Sequence, residues 1–185
     1  IVSGGIRGTW TSTYSITAYR FNQDGSSDPS FNAHGFNETT LSGSREYGSG
    51  VTIDSQGRIY VTGATPNGSF GPMITYRFLS HGSLDSSFGG AGYIAFSNPN
   101  GDIGWVMGDG IVTDASDNVI IAGNLYNTTG STKVAVWRYT SSGSLDTSFG
   151  AGNGYVTHGV SGPTWVDSYD VILDKLGNII VSGYH

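Results

Sequence analysis

A short phrase recurs three times along this chain of 185 residues. It reads GSLDSSFGG from Gly82 and GSLDTSFGA from Gly143, and a related form, GSSDPSFNA, begins at Gly25. The aromatic residue of the phrase recurs at spacings of 57 and 61 residues, as Phe31, Phe88 and Phe149. A repeat of this length restricts the fold to architectures in which one structural unit is used several times and each copy packs on the next.

Two further phrases recur in the same order. VTIDSQGRIYVTG, IVTDASDNVIIAG and VILDKLGNIIVSG place an aspartate every 60 residues, at Asp54, Asp114 and Asp174. ITAYRF, MITYRF and VAVWRY place an arginine at one repeat position, at Arg20, Arg77 and Arg138. We therefore interpret residues 1–185 as a single segment of three repeats, with approximate boundaries at 5–63, 64–123 and 124–183.

Each repeat reads as four short β-strands. VTID and IYVTG are β-branched runs on either side of a polar turn, which predicts a hairpin. VAVWRY predicts a third strand, and GYIAF predicts a fourth after a glycine-rich corner. No window of helical periodicity competes with these strands. The sequence predicts an all-β fold with three sets of four antiparallel strands, and four-stranded repeats of this size are the blades of a β-propeller.

The repeated phrases also resemble a known family. LDSSFG, LDTSFG and RYTSSGSLDTSFG are similar to the delta-60 repeat proteins, a β-propeller family of bacterial surface and secreted proteins with largely uncharacterised function. VTIDSQGRIYVTGAT resembles the related bacterial β-propeller repeats. The resemblance covers the whole chain and implies the propeller fold, but it implies no particular activity. The first copy departs from the pattern at Ser27 and Asn32, where the others have Leu and Gly.

The composition disfavours some classes of binding partner and favours a location outside the cell. The chain has 8 Lys and Arg against 14 Asp and Glu, a net charge of −6, which disfavours nucleic acid and anionic membrane surfaces. It has no cysteine and no apolar run long enough to insert into a membrane. Only 12% of its residues are charged and 30 are glycine, a mixture that favours a secreted or cell-surface location.

The repeated residues have a structural interpretation. Phe31, Phe88 and Phe149 are expected to be buried between neighbouring units. The repeated arginine is expected to pair with a repeated carboxylate, either in the set Asp28, Asp85 and Asp146 or in the set Asp54, Asp114 and Asp174. The alternative is that the arginines line a channel and bind an anion.

Another repeat position is a candidate for ligand binding. Arg45, Trp105 and Trp165 each lie nine residues before the repeated aspartate, and Asp109, Tyr169 and Asp170 lie in the same segments. Aromatic rings stack on the apolar faces of sugars, and carboxylates accept hydrogen bonds from sugar hydroxyls. The alternative is that both tryptophans pack between the units.

The loop NQDGSSD resembles the calcium loops of some propellers. Asn22, Asp24 and Asp28 could supply several oxygens to a hard cation. The alternative is an ordinary turn in which Asp binds backbone amides. No other cofactor is expected, and the sequence shows no catalytic constellation.

These observations lead to three hypotheses of function. The first is an extracellular or cell-surface module for binding, adhesion or structural assembly. The second is a carbohydrate-binding lectin that uses the loop aromatics, and the third is a propeller-fold hydrolase or lyase. A closed propeller has four to eight blades, so three repeats predict further blades of the same chain or a second copy as partner. Glycans or cell-surface proteins are the expected ligands.

Overall fold

The computed structural model describes residues 2–5, 14–41, 45–65, 71–97, 104–127, 131–159 and 165–184. Thirteen strands and one short 3₁₀ turn, Gly150–Gly152, lie in these ranges. The strands are β1 (Val2–Gly5), β2 (Ile16–Tyr19), β3 (Phe36–Thr39), β4 (Tyr47–Ile53), β5 (Ile59–Ala64), β6 (Met73–Phe78), β7 (Tyr93–Phe96), β8 (Val106–Thr113), β9 (Val119–Tyr126), β10 (Thr132–Tyr139), β11 (Tyr155–His158), β12 (Asp167–Leu173) and β13 (Ile179–Tyr184).

The strands form antiparallel sheets in chain order. Sheet 2 (β4–β7) and sheet 3 (β8–β11) have four strands each, whereas sheet 1 (β1–β3) has three and sheet 4 (β12–β13) has two. The expectation of three complete sets is corrected to two complete sheets flanked by two partial ones. Sheet 1 contains the second, third and fourth strands of the repeat and sheet 4 contains the first and second, because the chain enters and leaves the described structure within a repeat.

The sheets pack face to face through apolar side chains. Ile16 and Phe31 of sheet 1 belong to one core with Val61 and Phe78 of sheet 2. A second core joins sheets 2 and 3 around the fully buried Trp137, and a third joins sheets 3 and 4. The first strands of consecutive sheets, β4, β8 and β12, also contact one another. This arrangement places the start of each first strand near the start of the next.

Each first strand carries a β-bulge opposite a glycine of the second strand. The register shifts between Gly48 and Gly50, and it shifts at the same position in β8 and β12. A Cβ atom on Gly63 would lie 1.7 Å from the carbonyl oxygen of Tyr47, and one on Gly123 would lie 1.8 Å from that of Met107. The repeated glycine at the end of the VTG, IAG and VSG motifs is therefore required by the close approach of two backbones.

Gly123→Ala tests this requirement. We expect a loss of about 3 kcal/mol or more in the free energy of unfolding, because the added methyl group meets backbone that cannot move without breaking the bulge. Urea denaturation measures the change. Gly57→Asp is the matched control, since Asp117 already adopts positive φ at the equivalent position. A similar loss in both variants would contradict the explanation.

The corner between the third and fourth strands is held by the repeated arginine. Its Nε donates to a carboxylate oxygen of the repeated aspartate at 2.7 Å, 2.8 Å and 2.7 Å in the pairs Arg20–Asp28, Arg77–Asp85 and Arg138–Asp146. The expected ion pair is thus present in all three copies, and the aspartate of the corner is the partner. The other set caps the hairpin turns; for example, Asp54 accepts hydrogen bonds from the backbone N–H groups of Gln56 and Arg58.

The same guanidinium covers the repeated phenylalanine. Its central carbon lies 4.7–4.9 Å from the ring centroid in the pairs Arg20–Phe31, Arg77–Phe88 and Arg138–Phe149, a cation–π distance. Phe31 and Phe88 are fully buried, as predicted. Phe149 is only half-buried, because the described residues contain no further corner to cover it.

Arg77→Met and Arg20→Met together measure the contribution of this corner. The Arg77 side chain is 2% exposed and the Arg20 side chain is 25% exposed, although both make the same ion pair. We expect Arg77→Met to cost about 3–5 kcal/mol, because Asp85 loses the partner of a buried charge. We expect a clearly smaller loss for Arg20→Met, whose pair is screened by water. Equal losses in thermal or urea unfolding would show that burial does not govern the contribution.

Candidate ligand-binding site

Arg45, Trp105 and Trp165 lie one or two residues before the first strands of sheets 2, 3 and 4. All three side chains are exposed, with Trp105 at 39% and Trp165 at 57%. The next residue in each copy is buried, as Glu46, Val106 and Val166. Because inward and outward side chains alternate along extended backbone, the buried residue fixes the outward direction of its neighbour. We call the three exposed residues the rim.

Two of the three rim residues contact the segment that leads into the third strand of the preceding sheet. Trp105 forms a parallel bridge with Gly71, which lies just before β6 of sheet 2. Its carbonyl oxygen accepts a hydrogen bond of 2.8 Å from the N–H of Tyr126, in β9 of sheet 3. The guanidinium of Arg45 lies 5.6 Å from the ring centroid of Tyr14. The three side chains lie at the same end of three consecutive sheets, and the backbone at Trp105 is held by these hydrogen bonds.

Glu46 makes the first rim position different from the other two. Its carboxylate is buried and accepts hydrogen bonds from the hydroxyl of Tyr76 at 3.0 Å and from the N–H of Leu41 at 2.8 Å. Burial raises the pKa of Glu46 above its usual value, although these two hydrogen bonds oppose the rise. Of these two adjacent charged residues, Arg45 is therefore exposed and Glu46 is buried.

Asp109 does not belong to the rim. It is the bulged residue of β8 and points between sheets 3 and 4, where its Oδ2 accepts hydrogen bonds from Asn124 Nδ2 at 2.6 Å and Ser168 Oγ at 3.0 Å. Ser168 also donates its N–H to Asn124 Oδ1 at 3.0 Å. Burial raises the pKa of Asp109 to about 6, and the negative charge of Asp167 adds to the rise. Asp109 thus participates in a closed polar contact between sheets.

Asp167 forms a second polar contact next to the first. Its Oδ1 accepts a hydrogen bond from the hydroxyl of Tyr126 at 2.9 Å, and its Oδ2 accepts one from Tyr184 at 2.8 Å. The ring of Tyr169, which is exposed, lies 5.9 Å from that of Tyr184. The pKa of Tyr126 is raised, mainly by burial and also by its bond to Asp167. These residues form a polar and aromatic surface on sheet 4.

Asp170 lies beyond this surface, on the outer face of sheet 4. Its Oδ1 accepts a hydrogen bond from the N–H of Val171 at 2.8 Å. With Ile172, Ile180 and Ser182 it lines a shallow groove of about 210 Å³. The six predicted ligand-binding residues therefore occupy three places: the rim, the contact between sheets 3 and 4, and the exposed side of sheet 4, where Tyr169 and Asp170 lie apart from each other's neighbours.

The structure does not assemble the predicted calcium loop. Asp28 is engaged by Arg20, and Asp24 Oδ1 accepts hydrogen bonds from the N–H and hydroxyl of Ser26 at 2.9 Å and 2.6 Å. Asn22 turns its NH₂ group towards Ser26 Oγ at 2.9 Å. In this structure the loop is a turn stabilised by its own side chains. Within the described ranges, no group of three or more His, Asp or Glu residues could hold a metal ion.

Asn124, Ser168, Tyr126 and Tyr184 were not predicted from the sequence. A signal is present in the repeat alignment, however. Asn124 lies at the repeat position that Ala64 occupies one repeat earlier. Ser168 lies at the position that Gly108 occupies one repeat earlier. Departures that fall at facing positions of one contact indicate a polar network specific to that contact.

Two segments match known protein families. Residues 41–71 match a family described as a beta-propeller repeat, and residues 115–149 match a β-propeller domain of unknown function. No curated protein matches the chain. Together with the repeated antiparallel sheets, these matches over two short segments support a β-propeller repeat protein. They support the bacterial β-propeller repeat family that the sequence phrases resemble.

Asp109→Asn tests the contact between sheets 3 and 4. The folded-state pKa of about 6 lies above the unfolded value of about 3.9, so this group's contribution to stability is greatest at low pH and is lost as pH rises through 6. The amide of asparagine does not ionise, so the variant keeps its stability as the pH rises. Its carbonyl oxygen can still accept the hydrogen bonds from Asn124 and Ser168. We expect the variant to be more stable at pH 7 by about 1–3 kcal/mol, with the gain disappearing towards pH 4.

Asp24→Asn is the control for this measurement. The pKa of Asp24 is lowered, first by its hydrogen bonds to Ser26, so ionisation of this group favours the folded state. Its replacement should give no gain in stability at pH 7. Urea unfolding at several pH values between 4 and 7 compares the variants. A gain for Asp109→Asn that does not depend on pH would contradict the assignment.

Proposed function

We propose that this chain is a ligand-binding module of an extracellular or cell-surface β-propeller, and that its rim binds carbohydrate. The observation that carries the proposal is the exposure of Trp105 and Trp165 at one repeat position. Large apolar side chains are costly to expose, and evenly placed exposed aromatics favour a binding surface. Adhesion through surface glycans is the role that such a module would serve.

The chemistry of the rim supports a sugar as ligand. An indole ring provides an apolar face for the C–H groups of a pyranose, while Arg45 offers several N–H donors to hydroxyl or carboxylate oxygens. One such residue per sheet, repeated at a regular interval, suits an extended ligand with repeating units. The preference is for neutral or acidic glycans, because the exposed charged group of the rim is a cation.

The location outside the cell is supported by composition. The chain has few charged residues and many glycines, and the bacterial repeat proteins that it resembles include surface and secreted proteins. No helix in the described residues is long and apolar enough to span a membrane.

A glycan array with the intact chain tests the proposal, followed by titration calorimetry on any glycan that binds. We expect Trp105→Ala and Trp165→Ala each to weaken binding by about tenfold or more, because stacking on each ring is lost. Arg45→Gln should weaken acidic glycans more than neutral ones.

Phe21→Ala is the matched control. Phe21 is 49% exposed, but it follows the end of β2 at the opposite end of its sheet. We expect this variant to bind as the parent does. The proposal would be overturned if no glycan bound, or if Phe21→Ala lost as much affinity as the two tryptophan variants.

A further inference from the structure

Four departures from the repeat coincide at the first rim position. Arg45 lies where the other two copies have tryptophan, and Glu46 lies where they have valine. Tyr14, two residues before β2, lies where they have glycine and threonine. Tyr47, the first residue of β4, lies where they have methionine and aspartate. Because the other copies build the same strands without these residues, the scaffold does not require them.

The four residues meet at one place between sheets 1 and 2. The N–H of Glu46 donates to the carbonyl oxygen of Tyr14 at 3.1 Å. The ring of Tyr14 lies 5.4 Å from the ring of Tyr47, with the two planes tilted by 33°. The guanidinium of Arg45 lies over the ring of Tyr14, which orients it. We call Arg45, Tyr14 and Tyr47 the cationic cluster.

Arg45 differs from the other arginines in its lack of a counter-charge. Each of the others binds a carboxylate: Arg20, Arg58, Arg77 and Arg138. Among the residues that the structure describes, Arg45 is the one arginine with no carboxylate partner within 4.0 Å. Its side chain is exposed, so its N–H donors are accessible to a ligand.

Glu46 does not neutralise Arg45, although it is the next residue. Its carboxylate is fully buried and accepts hydrogen bonds from the hydroxyl of Tyr76 and the N–H of Leu41. Consecutive side chains of extended backbone point to opposite sides, so Arg45 points outward where Glu46 points inward. The cluster therefore presents an unpaired cation on a chain whose net charge is −6. An anionic group of a ligand would supply the missing partner.

The chemistry of the cluster favours a carboxylate attached to a sugar ring. The planar guanidinium group can donate two parallel hydrogen bonds to one carboxylate. Tyr47 is 42% exposed, and the face of its ring can pack on the C–H groups of a pyranose. The tyrosine hydroxyls can donate to and accept from sugar hydroxyls. A hexuronic acid carries both parts, because its carboxylate is bonded directly to the pyranose ring.

We propose that the cationic cluster binds the carboxylate of a hexuronic acid unit, so that the glycan bound along the rim is acidic. Arg45 donates to the carboxylate, and Tyr14 and Tyr47 contact the sugar ring. Further units of the same glycan lie against Trp105 and Trp165. The inference rests on the proposed function of the rim, and it adds the class of sugar that the first copy selects.

Titration calorimetry of the intact chain with matched ligands tests the proposal. The probes are oligomers of glucuronic, galacturonic and mannuronic acid, each beside the same oligomer with its carboxyl groups reduced to alcohols. We expect at least one acidic oligomer to bind about tenfold or more tightly than its reduced form, because only the acid accepts charge-assisted hydrogen bonds.

Two substitutions of Arg45 and one control assign this preference to the cluster. Arg45→Gln removes the charge, and Arg45→Trp gives the first copy the residue of the other two. We expect both variants to bind the acidic and reduced forms within about threefold of each other. Lys175→Gln is the matched control, since Lys175 is an exposed cation between β12 and β13, at the opposite end of its sheet. The same loss of charge there should leave the preference unchanged.

The outcomes separate this inference from the proposed function. Equal binding of each acid and its reduced form by the parent, or an unchanged preference in Arg45→Gln, would overturn the inference. If Trp105→Ala still weakened binding of both forms, the carbohydrate function of the rim would stand without it. Acid binding that required Arg45 but neither tryptophan would support the cluster and contradict the function proposed for the tryptophans. Binding of none of the oligomers would overturn the inference.

Discussion

The guanidinium group of the repeated arginine makes contacts both within one corner and between the corners of neighbouring sheets. Within one corner it binds an aspartate and covers a phenylalanine, as Arg77 does with Asp85 and Phe88. Across two sheets it donates to a carbonyl group of the next corner, that of Ser141. Burying such a cation is favourable only when its donors are satisfied. The packing of one sheet on the next therefore depends on the position of the next corner, whose carbonyl group must lie within hydrogen-bonding distance of the arginine. The same contact is made by Arg20 and by Arg77.

The contacts between sheets are not all alike. The core between sheets 2 and 3 is built from aromatic and aliphatic side chains around Trp137. Between sheets 3 and 4, Asp109, Asn124 and Ser168 add a polar network beside a smaller apolar core. Because Asp109 is buried and its pKa is raised, the stability of the contact between sheets 3 and 4 depends on pH. In the contact between sheets 2 and 3, the positions equivalent to Asn124 and Ser168 are Ala64 and Gly108, which do not ionise. The repeat fixes the geometry of the contacts, and the substitutions at facing positions set their chemistry.

The proposed binding surface uses the regularity of the scaffold. The buried residue that follows each rim position turns the rim side chain outward. Trp105 and Trp165 are consequently presented at one end of neighbouring sheets although they are 60 residues apart in sequence. The residues that stabilise the corners lie at the opposite end. Substitutions at the rim and in the corners can therefore vary independently, because no rim residue belongs to a corner.

The sequence by itself determined the strand pattern, the β-propeller repeat class and the structural pairs in each corner. Strand periodicity and the spacing of Phe31, Phe88 and Phe149 are local or repeated features, and they are read directly from one chain. Only the tertiary structure decided that Asp109 lies in a contact between sheets and that the loop at Asp24 is a turn stabilised by its own side chains. Those outcomes depend on which side chains meet across neighbouring sheets, and the distance between such groups is set by packing and not by their spacing in the sequence.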